Sequence, residues 1–161
     1  MDKIKLVTDA NAKVLREPTK LVKSVTQDIK DLIPVMRKIM KENNGIGLAA
    51  NQVGLSIKLF VAEPAYSKSE KGKFYVFINP EIISRSQTVD EIEEGCLSVP
   101  GTYGVSKRSK TVTITGLNEY GKKVKMKAHG LLAWIFQHET DHLNGTLYID
   151  NATQVKRAKR T

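Results

Sequence analysis

Residues 137–145 read QHETDHLNG, and within them His138, Glu139 and His142 have the spacing H-E-x-x-H. On an α-helix, positions four apart share a face, so the two imidazoles can grip one metal ion. The residues just before, GLLAWIF, are strongly apolar. A helix with that flank belongs in a core. Two histidines and a glutamate taken there need partners, because polar groups are costly to bury unpaired. A metal ion satisfies them together. The fold must therefore be built around a buried helix that stops at Asn144-Gly145, a C-terminal cap signal.

A hydrolytic site of this type usually takes three protein ligands and keeps one position open. The usual downstream partners are missing. In the metzincin pattern a histidine follows at H-x-x-G-x-x-H. Gly145 falls in place, but Tyr148 occupies the last position. No glutamate follows Glu139, and Asp150, beyond the cap, is the only side-chain carboxylate after His142. The third ligand is expected upstream, from Cys96, His129 or one of the scattered acids. Cys96, in EEGCLSVPG, is the single cysteine. Alone it would read as a small core residue. Beside a histidine-bearing helix it is the preferred candidate, since a thiolate suits zinc or ferrous iron. Gly95 before it allows close backbone approach. His129, nine residues before His138, reads as a surface or helix-start residue.

Elsewhere the pattern alternates between two periods. Ile29, Leu32, Ile33, Met36, Ile39 and Met40 recur at helical spacing within 24–44, and Asn43-Asn44-Gly45 stops that helix. Pro34 should kink it or delay its start. Segments 57–63, 74–80 and 81–89 read as strands. KTVTITGL and KKVKMKAH alternate around NEYG, a hairpin signal. The expectation is an α+β domain: an N-terminal amphipathic helix, antiparallel sheets, and a central metal-bearing helix. Residues 1–150 read as one catalytic domain, and the basic segment 151–161 as a loosely held tail.

The length of 161 residues suits one domain with a real core. No apolar run approaches the roughly 18 residues of a membrane span, and MDKIKLVTDANAKV lacks a secretory core. A lone cysteine excludes an internal disulfide and fits a reducing compartment. These features point to the cytoplasm, or to a mature organellar form. The net charge of +9 attracts polyanions such as RNA. No motif for sequence-specific nucleic-acid reading accompanies it.

Three separated motifs then resemble one known family, the peptide deformylases: GIGLAANQ (45–52), EGCLS (94–98) and QHETDHLNG. The likeness runs from about residue 5 to 150. It implies an α+β fold with antiparallel sheets packed around the metal-bearing helix. It also implies a metal held by Cys96, His138 and His142, natively Fe²⁺, with Zn²⁺, Ni²⁺ or Co²⁺ tolerated. Glu139 is implied as general base and acid, with Gln52 and the Leu97 N–H as oxyanion donors. The implied substrate is an N-formyl-methionyl nascent peptide, which loses formate. Its backbone would lie against Gly45, Ile46 and Gly47, where small residues leave room, near Gly95. Its methionine would sit among Leu131, Trp134 and Ile135. Trp134 is bulkier than the aliphatic residue common there. Glu94 and Arg108 match an ion pair that supports the ligands in relatives.

Two departures from the family stand out. The chain ends soon after Asp150, where many bacterial relatives carry a longer C-terminal helix linked to ribosome docking; VKRAKR could keep a transient ribosome contact by charge. PGTYGVSKR lacks an early arginine that some relatives use near substrate. Two other functions remain to be weighed: a zinc endopeptidase, and a non-catalytic binder of formylated chains, which would not need Glu139, Gln52 and all three ligands.

Overall fold

A computed structural model describes residues 4–67, 69 and 72–158. Along the chain run a short helix α1 (Lys13–Arg16), α2 (Gln27–Glu42), β1 (Gly47–Ala49), a 3₁₀ turn (Ala50–Val53), β2 (Leu59–Ala62) and β3 (Tyr75–Arg85). Then come β4 (Val89–Cys96), β5 (Val99–Ser109), β6 (Thr111–Leu117), β7 (Lys123–His129), α3 (Gly130–Leu143), a 3₁₀ turn (Tyr148–Asp150) and β8 (Thr153–Arg157).

The layering follows from one strand that is buried on both faces. Every residue of β2 is buried. The two-residue period sends Leu59 and Val61 one way and Phe60 and Ala62 the other. The first pair packs with Leu32, Ile33, Met36 and Met40 of α2. The second packs with Ala133 and Phe136 of α3. An antiparallel sheet in the order β1-β2-β3-β6-β7 thus lies between the two helices. Phe60, Phe77 and Phe136 meet with ring centroids 5.0–5.8 Å apart. Such pairs add roughly 0.5–1.5 kcal/mol each beyond area burial and anchor α3 just before its histidines. A second antiparallel sheet, β4-β5-β8, adds the site's remaining wall. The α+β architecture read from the sequence is the one observed.

The ends of α3 are fixed by backbone chemistry. Gly130, at φ +56°, begins it. At the other end Gly145 has φ +79°. Its N–H reaches the His142 carbonyl, and the Thr146 N–H reaches that of Asp141, both at 3.0 Å. This is a Schellman cap, which needs the left-handed residue. A Cβ on Gly145 would also lie 2.6 Å from the Arg16 carbonyl. Distant residues add to this cap: Asn51 Nδ2 also donates to His142 O, and the Thr19 N–H and hydroxyl donate to Leu143 O.

Several local readings need correction. The expected strand 74–80 and the first part of 81–89 form one strand, β3, which ends at Arg85 before β4 begins at Val89 and carries a register shift between Ile78 and Glu81. Asn79 adopts φ +52° there, and its amide exchanges hydrogen bonds with the Val22 backbone at 2.8 Å each way. A bulge tolerates Pro80 without ending the strand. Pro34 lies inside α2, which begins well before it at Gln27, so it does not delay the start. The hairpin β4-β5 carries no strand signal in the sequence. Its half-exposed acidic alternation, DEIEE, lacks the apolar signal that identifies strands. The tail read as loosely held supplies β8, paired with β5. Among the described residues, no helix is long and apolar enough to cross a membrane.

Candidate metal centre and catalytic cavity

Helix α3 puts His138 and His142 one turn apart on the same face, with their Nε2 atoms 3.1 Å from each other. The hairpin β4-β5 turns at Leu97-Ser98 and brings Cys96 to meet them; Cys96 Sγ lies 3.2 Å from His142 Nε2. All three donor atoms fall within 4.8 Å of one another. A thiolate and two imidazoles at that separation fit one ion with bonds of about 2.0–2.3 Å. The donor set suits a borderline or soft divalent metal. His129, the sequence rival, stands elsewhere: it is exposed and its Nδ1 meets Thr111 Oγ1 at 3.0 Å.

The ligands are oriented from behind. Glu94 Oε1 accepts from His138 Nδ1 at 2.7 Å, which fixes the tautomer and turns Nε2 toward the cluster. Arg108 grips both Glu94 oxygens, at 2.7 and 3.0 Å, and reaches Asp141 Oδ2 at 2.5 Å. Burial alone would raise the Glu94 carboxyl, but His138 and Arg108 outweigh it and hold it down at about 2. Burial alone would lower His138, but Cys96 and then the Glu94 anion outweigh it and hold the imidazole well above its usual range. Burial pushes His142 well below that range.

Gln52 is held at the centre's edge. Its Oε1 accepts the Ala49 N–H at 2.9 Å, so its Nε2 faces Cys96 Sγ at 3.5 Å and Ser98 Oγ at 3.2 Å. Leu97 is adjacent to Cys96 in the turn. Its side chain also crowds Gly45, where a Cβ would come within 2.6 Å. The first two sequence motifs are thereby packed together.

Glu139 is 4% exposed and its Oε2 has no hydrogen-bond partner among the described residues. The carboxylate occupies the space in which a Cβ on Gly47 would stand. Burial pushes its carboxyl up to about 7, against the pull of His138 and Arg108. A buried acid that titrates near neutrality beside a donor cluster can exchange protons in either direction.

These groups open on a cavity of about 700 Å³. Gly45, Ile46, Gly47, Gln52, Gly95, Leu97, Leu131, Trp134 and Ile135 all line it, together with Cys96, His138 and Glu139. Every residue singled out in the sequence for substrate contact is brought to this one space. His142 lies behind it, buried. The sequence missed the far wall, Val99 to Tyr103, and the N-terminal rim, Leu6 and Thr8. It also missed Asp141 and Ser98, which touch Arg108 and Gln52. Asp141 lay inside a motif already noted, but only the fold shows what it faces.

A family profile described as polypeptide deformylase matches residues 4–158. A peptide deformylase of Carboxydothermus hydrogenoformans is 42% identical over 154 residues, which are 96% of this chain and 97% of that protein. The crystal structure of a peptide deformylase from Ehrlichia chaffeensis in complex with actinonin superposes with a TM-score of 0.87 at 36% identity, covering 96% and 91% of the two chains. A Met-Ala-Ser-bound class I type b peptide deformylase from Acinetobacter baumannii gives 0.87 at 30% identity, covering 92% and 97%.

Proposed function

Because this chain belongs to the polypeptide deformylase family, metal-dependent amide hydrolases that remove the formyl group from N-terminal formyl-methionine, we propose a role for each residue of its cavity. Cys96, His138 and His142 hold the metal. When bound, the ion supplies Lewis acidity and makes water nucleophilic near neutral pH. Glu139 takes the proton from the attacking water and later delivers one to the departing amine nitrogen. Gln52 Nε2 and the Leu97 N–H donate to the oxygen that gains charge as the formyl carbon becomes tetrahedral. Removing one such donor typically costs about 10²–10³ in rate. The substrate backbone lies extended against Gly45, Ile46 and Gly47, near Gly95. The methionine side chain enters among Leu131, Trp134 and Ile135. Met-Ala-Ser, bound in the Acinetobacter baumannii relative, is a peptide of the kind this reading requires.

The observation that carries the reading is the Glu139 carboxylate: buried, without a partner at Oε2 among the described residues, and lodged in the gap left by Gly47 next to the Cys/His₂ cluster. Glu139→Gln keeps the shape and removes the titrating group. Formate release from formyl-Met-Ala-Ser should fall by at least about 10³-fold, with the metal still bound. Retained turnover would overturn the assignment. Cleavage of internal bonds in casein by the wild type would instead favour an endopeptidase.

The native ion is proposed to be Fe²⁺, with Zn²⁺, Ni²⁺ and Co²⁺ able to substitute, in keeping with the borderline-soft Cys/His₂ donors. Metal analysis after anaerobic purification tests this. Action in the cytoplasm, on nascent chains and in transient contact with the ribosome, follows from the substrate and from the net charge of +9. The catalytic domain is taken as residues 1–150, with 151–161 as a basic extension whose segment 153–157 joins the second sheet as β8. Ribosome affinity that did not weaken with salt would count against a charge-based contact.

A further inference from the structure

Between β4 and β5 the register jumps. Gly95 pairs with Tyr103, but the next residue, Cys96, pairs with Val99. Pro100, Gly101 and Thr102 therefore have no partner on β4, and this three-residue bulge forms part of the cavity wall. On its other side the bulge meets β8. The Ala158 N–H donates to the Gly101 carbonyl at 2.7 Å, and Thr102 stands opposite Arg157. Hydrogen-bonded and non-bonded pairs alternate in an antiparallel ladder. Thr102, next to the bonded Gly101/Ala158 pair, therefore points its carbonyl away from β8, toward the side where β4 offers nothing.

Tyr148 answers that carbonyl. Its hydroxyl donates to Thr102 O at 2.7 Å. The side chain is buried, and its ring stacks on His138 with centroids 6.1 Å apart at 28°. The 3₁₀ turn that carries it is itself pinned. Asp150 accepts the Leu147 N–H at 2.9 Å, and Arg16 Nη1 donates to both of its oxygens, at 2.7 and 2.9 Å. One residue thus touches the ring of a metal ligand and holds the far wall of the substrate cavity.

We propose that Tyr148 is a positioning residue that sets the distance between the metal centre and the 100–102 bulge, and so governs affinity for the peptide residues that follow formyl-methionine. The inference rests on the formyl-methionyl peptide reading above. A phenylalanine would keep the ring on His138 and lose only the anchor. The wall would loosen while the centre stayed intact. The effect belongs on KM for long substrates and not on kcat.

The test is Tyr148→Phe, assayed with formyl-Met-Ala-Ser and with formyl-methionine amide, alongside metal content and amide hydrogen exchange. KM for the tripeptide should rise about 3- to 10-fold, the range one lost buried hydrogen bond gives. The kcat for both substrates, KM for the short one and metal content should hold within twofold, while exchange over 99–103 quickens. An equal loss on both substrates, a loss of metal, or a tripeptide KM within twofold of wild type would overturn the proposal. If wild-type protein releases formate from neither substrate, the activity reading fails instead. Unchanged exchange over 99–103 would then still overturn the anchoring role of Tyr148.

Discussion

Glu94 Oε1 sits 2.7 Å from His138 Nδ1, and the same carboxylate is gripped by Arg108 from the other side. This one contact fixes which nitrogen of His138 faces the cluster and makes that nitrogen a better donor. Loss of such a partner typically weakens metal binding by about 10- to 100-fold. Glu94→Gln should show that loss in competition with a chelator, while circular dichroism reports an unchanged fold. Unaltered metal affinity would show that the ring is held by packing alone.

Arg108 is 8% exposed and serves two acids at once, Glu94 and Asp141. Breaking a buried ion pair from one side leaves uncompensated charge, at a cost of about 3–5 kcal/mol. Arg108→Ala should therefore lower the unfolding free energy by that amount in urea titration. Arg108→Lys should recover little of it, since an ammonium cannot reproduce the forked geometry. Full recovery by lysine would mean that charge, and not shape, is what the site requires.

Gly47 and Glu139 compete for one volume. A methyl group at Gly47 would collide with the carboxylate, and the collision must displace either β1 or the acid. Overpacking of this kind costs about 1–3 kcal/mol. Gly47→Ala is expected to cut kcat/KM by more than about tenfold while the protein still folds and binds metal. Wild-type activity in this variant would show that Glu139 can move aside without consequence.

Glu63 gives a pH dependence far from the metal centre. Its carboxylate takes hydrogen bonds from Arg37 Nε at 2.7 Å and Lys41 Nζ at 2.6 Å. The bond from Arg37, aided by Lys41, outweighs burial and holds Glu63 below the ordinary carboxylate value of 4.5. Protons then bind the unfolded chain more readily than the folded one. The stabilisation is complete above the ordinary value and is lost as pH falls through the lowered folded value. Glu63→Gln should flatten the acid limb of Tm against pH and leave less of a difference from wild type at low pH. Parallel curves across that range would remove Glu63 from the acid response.

The site was legible wherever chemistry was written as local spacing. His138 and His142 share a face because a helix repeats every 3.6 residues, and that holds whatever the helix packs against. The absence of a later histidine or glutamate sent the third ligand upstream, and the thiolate's affinity for borderline metals singled out Cys96. The small residues of 45–50 read as room for a substrate backbone, whereas the group that stands in the gap beside Gly47 is the Glu139 carboxylate. Strands β2, β6 and β7 were readable because they alternate or run apolar. The β4-β5 hairpin was not, since its exposed edge is acidic, and β8 was not, since all five of its residues are exposed. Such strands are specified by their partners and not by their own hydrophobicity.

Sequence by itself marked the donor set, the acid Glu139 beside it and the alternation of helix and sheet, because each is written in local residue type and spacing. Tertiary structure alone decided what stands behind them. Asp141 could not be matched to Arg108, nor Asn51 to the end of α3, nor Tyr148 to Thr102, from spacing. Those pairs lie 33, 91 and 46 residues apart. Their meeting depends on how two sheets close around one helix. A buried polar group must find a partner, but the chain's order does not say which one.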